Sequence, residues 1–343
     1  MNVQPFPGFH SLKTHHCITG SMRHMYVYNG HDVSEDLLLG IGAGVSFSYW
    51  QFKGQPPFLG GRGNVGRPGE LGLEKTAGKR TGVAIQTYAT GSASKARKTL
   101  LELLEAGQPV MVMVDMGFLP YFDFAGQEYH FGAHAVVVCG YDQAAESVLI
   151  ADRDGLHPVS LQEIEKARGS RFKPFPPRNL WYTFDFGQKR LPAAEEVRQA
   201  IAEQVQPMLQ PPIRNIGVPG IRKAGQMIPR WPDSMDDREL RWALFNAHIF
   251  ISPEGGTGGG CFRYMFSRFL REGAAIVGDG RLNSAADGFQ HIADRWEVLG
   301  EWFRQVAQAP DAVSRMAECG VLFGEVADLE QAAWTRLQEV VRE

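Results

Sequence analysis

Ala133-His134-Ala135-Val136-Val137-Val138-Cys139-Gly140-Tyr141 and Ser147-Val148-Leu149-Ile150-Ala151-Asp152 are two apolar runs joined by the polar stretch Asp142 to Glu146. Short runs rich in valine and isoleucine, flanking a turn-forming segment, predict an antiparallel hairpin with strands over 133–141 and 147–152. Each run carries one residue that a plain strand does not need: His134 sits inside apolar sequence, and Asp152 closes the second run. Pairing His134 with Asp152 centres the turn on Gln143, inside the expected turn. Directly opposed residues share a sheet face with Cβ atoms about 5 Å apart, close enough for a carboxylate to hold an imidazole tautomer. Asp154 has the same parity as Asp152 and takes its place if the register slips by one position on each strand; Asp152 is the preferred partner.

The hairpin sits in an α/β stretch. Val83 to Tyr88 and Pro109 to Val114 read as strands, Ser92 to Ala106 as an amphipathic helix ending at Gly107, Leu161 to Arg168 as a short helix, and Asn179 to Phe186 as a last strand. Upstream, Ile18, Met22, Met25 and Tyr26 recur at helical spacing before Gly30, so 17–29 reads as a helix. Ser34 caps a second helix through Leu37-Leu38-Leu39, and Val45 to Tyr49 alternates like a strand. Lys53 to Gly72 is dense in glycine and proline and reads as a long surface loop, either functional or disordered. After Phe186 the strand signal fades, and 193–208, 235–250, 261–272, 287–307 and 325–342 show helical periodicity. The expected fold class is therefore α+β, with a first domain over 1–188 and a mostly helical domain over 189–343.

The 343 residues suffice for two domains of ordinary size. Lysine and arginine number 35 against 38 acidic residues, interspersed, which predicts neither a nucleic-acid footprint nor a polybasic membrane surface. No apolar run approaches the roughly 20 residues that span a bilayer. The segment ahead of Cys17 holds His10, His15 and His16 and no continuous apolar stretch, which argues against a secretory signal. Four scattered cysteines without a CxxC pair argue against a disulfide framework and for a reducing, cytoplasmic setting.

A nucleophile is the natural third partner for a histidine and an aspartate. Cys17 opens the predicted 17–29 helix, where the helix dipole and a neighbouring imidazolium each lower the pKa of a thiol that otherwise titrates near 8.5. A lone cysteine is more often a small buried hydrophobe, and Cys139 and Cys319 read that way. Cys261 is the rival thiol: it follows Gly255-Gly256-Thr257-Gly258-Gly259-Gly260 and opens a helix, but no pattern places a histidine beside it. That glycine run has two readings. Gly258, Gly259 and Gly260, with Arg263, form a cradle for an anion such as a pantetheine phosphate or a substrate carboxylate, or they mark close packing between helices; the run lacks the Gly-Lys-Ser/Thr ending of a phosphate-binding P-loop. His15, His16 and Cys17 with His130 and His134 form a conceivable zinc set. Yet His130 and His134 cross from loop to strand, where an i, i+4 pair does not converge, so no metal is expected. His15 or His16 is expected to shape the thiol's surroundings or the oxyanion site.

These residues also carry a family resemblance. His16-Cys17, Tyr28-Asn29-Gly30, Ser34-Glu35, Leu39-Gly40-Ile41-Gly42-Ala43-Gly44-Val45-Ser46-Phe47, His134-Ala135-Val136-Val137-Val138-Cys139-Gly140-Tyr141-Asp142, Ile150-Ala151-Asp152 and Ala167-Arg168 resemble the N-terminal domain of the butirosin biosynthesis protein H family over roughly 15–186. Gly256-Thr257-Gly258-Gly259-Gly260 and Phe262-Arg263-Tyr264-Met265-Phe266 look like the domain of unknown function that commonly follows it. The resemblance implies a papain-like cysteine-peptidase fold and acyl transfer from a carrier-protein thioester to an amine, the natural-product chemistry of the namesake. Carried over, Cys17 accepts the acyl group, His134 serves as base and then acid, and Asp152 orients it. The partners implied are an acyl- or peptidyl-carrier protein and a small-molecule amine acceptor. The only cofactor group is the phosphopantetheine arm on the donor, and a homo-oligomer is left open. The aromatic loop 118–131 and the glycine-rich loop 53–72 are expected walls of the site. One departure stands out: papain-like enzymes usually carry an oxyanion glutamine about six residues before the cysteine, and Ser11 occupies that position. A cysteine peptidase or amidohydrolase, with water replacing the amine, is the alternative; a non-catalytic carrier-binding scaffold is the second.

Overall fold

A computed structural model describes residues 3–52, 56–66, 71–124, 126 and 128–342. The architecture is α+β, with a sheet-containing region followed by a helical one. It divides into two compact units, 1–38 with 81–191 and 39–80 with 192–343.

The first unit is built on a six-stranded antiparallel sheet. In chain order its strands are β3 (Ala84–Tyr88), β4 (Val110–Val114), β5 (His134–Asp142), β6 (Ser147–Asp152), β7 (Gly155–Ser160) and β8 (Trp181–Asp185), arranged β3-β8-β4-β5-β6-β7. Every residue of β4 and β6 is buried, so both faces of the central sheet are covered. Helices α1 (Cys17–Tyr28), α4 (Ala93–Glu105) and α5 (Leu161–Gly169) pack on it. The Ser92 hydroxyl caps α4, which buries Ala96, Leu100 and Leu104 at four-residue spacing; these leucines meet Val112, Val136, Val138 and Ile150 in one apolar cluster. α5 opens with a capping box, Ser160 with Glu163.

The predicted hairpin is β5–β6, but its register differs from the expected one. Val137 faces Ala151 and Val138 faces Ile150, and the pairing shifts at Cys139 so that Gly140 faces Leu149 and Asp142 faces Ser147. The turn therefore lies later than a turn centred on Gln143, and the bulge returns only part of the difference. Gly140 is needed at the bulge: a Cβ there would come within 2.2 Å of the Gln4 carbonyl oxygen, where Phe6 donates its N–H to Cys139. β7 was not foreseen; Pro158 is tolerated because β7 is an edge strand.

The second unit joins a two-stranded antiparallel ribbon, β1 (Val45–Trp50) and β2 (Phe58–Arg62), to helices α3 (Leu73–Arg80), α6 (Ala194–Leu209), α7 (Gly217–Met227), α8 (Asp237–Ile251), α9 (Arg263–Val277), α10 (Arg281–Gln308) and α11 (Ala312–Arg342). The expected division put 39–80 in the first domain; by compactness these residues group with the helices. The cause is visible in β1. Phe47 stacks on Trp296 at 5.4 Å, Tyr49 takes the Trp231 indole N–H on its hydroxyl, and its backbone pairs with Asn215. α2 (Glu35–Ile41), capped by Ser34, contains the division point. The expected loop 53–72 holds β2 instead. Its glycines mark a close approach, since a Cβ on Gly61 would lie 2.6 Å from the Cys261 carbonyl oxygen. Positions 53–55 and 67–70 of that loop lie outside the described residues. α7 was also missed, because Gly217, Pro219, Gly220 and Gly225 hide its periodicity. Among the described residues no helix is long and apolar enough to cross a membrane.

Candidate active site

Cys17 is the first residue of α1, where the helix dipole favours negative charge and the first backbone N–H groups lack acceptors within the helix. His16 forms the cap: its backbone is extended and its Nδ1 accepts the Thr19 N–H. A Cβ on Gly20 would lie 2.3 Å from the Thr14 hydroxyl, so only glycine lets the incoming chain cross the first turn of α1. Thr14 donates its N–H to the carbonyl of Arg153, and Arg153 reaches back to the carbonyl of His15 at 3.4 Å. The cysteine turn is thereby tied to the end of β6.

His134 opens β5 and is buried. Its Nε2 lies 2.7 Å from Asp152 Oδ2. Continuing the observed register sets Val136, not His134, against Asp152, so the histidine reaches its carboxylate along a diagonal, within the span of a long side chain. Asp154 is not the partner; its carboxylate holds the exposed rim through His157 at 2.8 Å. With Nε2 engaged, Nδ1 is the ring nitrogen left for the Cys17 thiol, with which His134 shares a hydrogen bond. The sulfur also lies 3.9 Å from the Ala133 carbonyl oxygen.

Electrostatics follow from this chain of groups. Burial opposes a thiolate at Cys17, but the hydrogen bond and positive charge of His134, with the Ala135 backbone and Arg153, hold the thiol below its ordinary value. Burial likewise opposes an imidazolium, yet the Asp152 carboxylate and Cys17 push His134 up to about 9. Burial opposes ionised Asp152 too; His134 and the Arg153 N–H, at 2.7 Å from Oδ1, overcome it and hold the carboxyl far below the usual range. These interactions favour a thiolate at Cys17 and an imidazolium at His134 against the opposing effect of burial. Cys17 is also partly accessible, whereas Cys139, Cys261 and Cys319 are buried.

Four side chains of the aromatic loop 118–131 lie against this trio or against one another, and their individual contacts were not foreseen. Tyr121 donates its hydroxyl to Asp152 Oδ2 at 3.0 Å, the oxygen that also holds His134. Burial and the neighbouring carboxylate keep it a phenol, and its ring stacks on His157 at 3.9 Å. Phe122 meets His134 edge-on at 5.5 Å, Phe124 stacks on Phe122, and Tyr129 follows at 4.8 Å. The aromatic richness of 118–131 was the available signal; residues 125 and 127 of that loop lie outside the described residues.

The other candidates go elsewhere. His16 is occupied as a helix cap. Arg263 is fully buried, its Nε 2.7 Å from Glu330 Oε1 and its Nη1 on the carbonyls of Ser46 and Cys261. In the glycine run the Gly259 N–H goes to Thr257 and the Gly260 N–H to Glu297, while Gly258, Gly259 and Gly260 all have positive φ. A Cβ on Gly260 would lie 2.6 Å from that of Ala293. The residues of the expected anion cradle form a packed turn in which the Gly259 N–H goes to the Thr257 hydroxyl, the Gly260 N–H to Glu297 and the Arg263 Nε to Glu330. For the zinc set, His130 pairs with Asp115 at 2.9 Å and stacks on Phe172, and His134 belongs to Asp152.

Two family models match the chain. Butirosin biosynthesis protein H, N-terminal, matches residues 16–153 and spans all three members of the trio. Domain of unknown function (DUF4872) matches residues 162–337, just over half of the chain. No curated protein matches. The chain belongs to the butirosin biosynthesis protein H-like family, a family named for biosynthesis, in its arrangement of that N-terminal domain followed by DUF4872.

Proposed function

We propose that the protein is a cysteine-dependent acyltransferase that moves an acyl or aminoacyl group from a carrier-protein thioester to an amine in natural-product biosynthesis. The observation that carries this reading is the Asp152–His134–Cys17 chain. A 2.7 Å carboxylate–imidazole pair stands behind a partly accessible thiol whose pKa the imidazole lowers.

In the first half-reaction the Cys17 thiolate attacks the thioester carbonyl carbon. The tetrahedral oxyanion collapses, the donor's C–S bond breaks, and the His134 imidazolium gives its proton to the departing pantetheine thiolate. In the second, His134 takes a proton from the attacking amine, the new C–N bond forms, and the acyl–Cys17 bond breaks to restore the thiolate. Asp152 keeps the imidazole oriented and stabilises its charged form throughout. The backbone N–H of Cys17, first in α1, is the donor proposed for the oxyanion; Ser11, at the glutamine position, is exposed. The rings of Phe122, Phe124 and Tyr129 offer an apolar wall to the acyl group.

The test is intact-mass spectrometry after incubation with acyl-loaded carrier protein. Wild type gains one acyl group on Cys17, and a following amine removes it as an amide. Acylation that survives Cys17→Ala sinks the proposal. Release to water at the same rate with and without amines makes the protein a hydrolase.

A further inference from the structure

We infer that Glu35 is a positioning residue for Cys17: its buried carboxylate grips the two peptide N–H groups ahead of the nucleophile and so sets where the thiol meets His134. The inference rests on Cys17 being the nucleophile. Glu35 is the first residue of α2 and only 5% exposed. Its Oε2 accepts the N–H of His15 at 2.9 Å and its Oε1 that of His16 at 2.7 Å. Oε1 also accepts the Thr19 hydroxyl at 3.1 Å. Thr19 in turn gives its N–H to His16 at 3.4 Å. Cys17 therefore lies inside a closed loop of bonds, two peptides held on its N-terminal side and Thr19 on its C-terminal side.

The residue type matters. A carboxylate presents acceptors on both oxygens; burial raises Glu35 above the ordinary carboxylate value, and the N–H groups of His16 and His15 and the Thr19 hydroxyl pull it back toward the ionised form. Glutamine, of the same shape, turns an NH2 toward one of the two N–H groups and breaks that half of the grip. The other side of the segment is tied to Arg153 through the Thr14 N–H and the His15 carbonyl, and Arg153 donates its own N–H to Asp152. Glu35 is the opposing hold. Without it the segment loses the hold opposite Asp152, and a reacting group misplaced by about 1 Å costs on the order of 10²-fold in rate.

The experiment compares wild type, Glu35→Gln and Glu35→Ala by iodoacetamide alkylation, with each cysteine quantified by mass spectrometry from pH 5 to 9. Single-turnover acylation by an acyl-loaded carrier protein runs alongside. Expected are wild-type Cys17 alkylation faster than a free thiol at pH 6–7, a loss of roughly tenfold in Glu35→Gln and roughly a hundredfold in Glu35→Ala, and the rise of the pH profile displaced upward. The loss is expected in the acylation rate rather than in donor KM, with Cys139 and Cys261 still protected. Wild-type Cys17 profiles in both variants overturn the role of Glu35 alone. Slowing accompanied by labelling of Cys139 and Cys261 overturns it too, by exposing a merely structural role; if Glu35→Ala does not fold, the isosteric Glu35→Gln carries the test. A wild-type Cys17 no faster than a free thiol defeats the nucleophile reading and this inference with it.

Discussion

Cys17 and Cys261 occupy comparable places, each at a turn that feeds a helix and each with a cation–carboxylate pair nearby, yet their chemistry is opposite. At Cys17 the cation is His134, whose carboxylate lies behind it on Nε2, so the near side of the ring faces the thiol. At Cys261 the guanidinium of Arg263 is neutralised by Glu330, which also takes the indole N–H groups of Trp296 and Trp334. Burial pushes the Cys261 thiol up to about 12; Arg263 pulls the other way, and Glu330 and Glu297 add to the rise. Cys261 is sealed, with a left-handed backbone at φ 52°, whereas Cys17 is partly open. A cation beside a thiol activates it only when the cation still has charge to give and the sulfur can be reached.

The comparison breaks most easily at His134. His134→Ala should cut single-turnover acylation of Cys17 by roughly 10³-fold and move its alkylation to alkaline pH, since burial then acts unopposed; rapid alkylation persisting at pH 6–7 would show that the dipole alone suffices. On the other side, Glu330→Ala strands the Arg263 charge in the core and should cost about 3–5 kcal/mol in urea unfolding, while Cys17 alkylation in the folded protein stays at the wild-type rate. A matching fall in Cys17 reactivity would deny that the two pairs have separate tasks.

Asp152→Asn leaves a neutral acceptor behind His134 and should lower acylation about 10²-fold while preserving the fold. It also tests the stability linkage. Asp152, depressed in the folded state, contributes stability above its unfolded value, about 4, and loses it as pH falls through the folded one. His134, raised to about 9, contributes fully below its unfolded value of about 6.5 and loses the contribution as pH rises toward its folded value. Cys17, lowered in the folded state, contributes in the opposite sense as pH rises, so the His134 loss between about pH 6.5 and 9 should emerge in Cys17→Ala, and much less of it when Asp152→Asn is added; equal pH profiles of these two variants would contradict the charge state of the His134–Asp152 pair. The smallest expected effect is Tyr121→Phe, which removes one of the bonds to Asp152 and should slow acylation about three- to tenfold, read from single-turnover rates.

Much of the sheet was legible because valine-rich runs and turn residues report local preference. The helix starts at Cys17, Glu35 and Ala93 were announced by helical spacing at 18, 22, 25 and 26 and by the capping residues Ser34 and Ser92. What escaped was structure built from glycine and proline: β2, β7 and α7 are stable only through their neighbours, and β2 needs Gly61 because another backbone passes over it. The trio was nameable because His134 and Asp152 interrupt apolar strands. Their true register was not, since the bulge at Cys139 leaves no compositional mark. Tyr121 and Glu35 were equally hidden, being ordinary residues until another element is laid against them.

The sequence by itself determined the residue types at the site, the hairpin that carries two of them, the helix that starts at the third, and the family. Each of those depends on neighbours close in the chain or on motif identity. Only the tertiary structure decided which thiol lies beside an imidazole and partly open, because burial and the placement of carboxylates act through space. Gly258, Gly259, Gly260 and Arg263 read as an anion cradle until Glu297 and Glu330, far along the chain, were seen to take the Gly260 and Arg263 donors. Cys17 was named with His134 and Asp152 from the sequence, but the contacts that join them, and the hold of Glu35, exist only where separate elements meet in space.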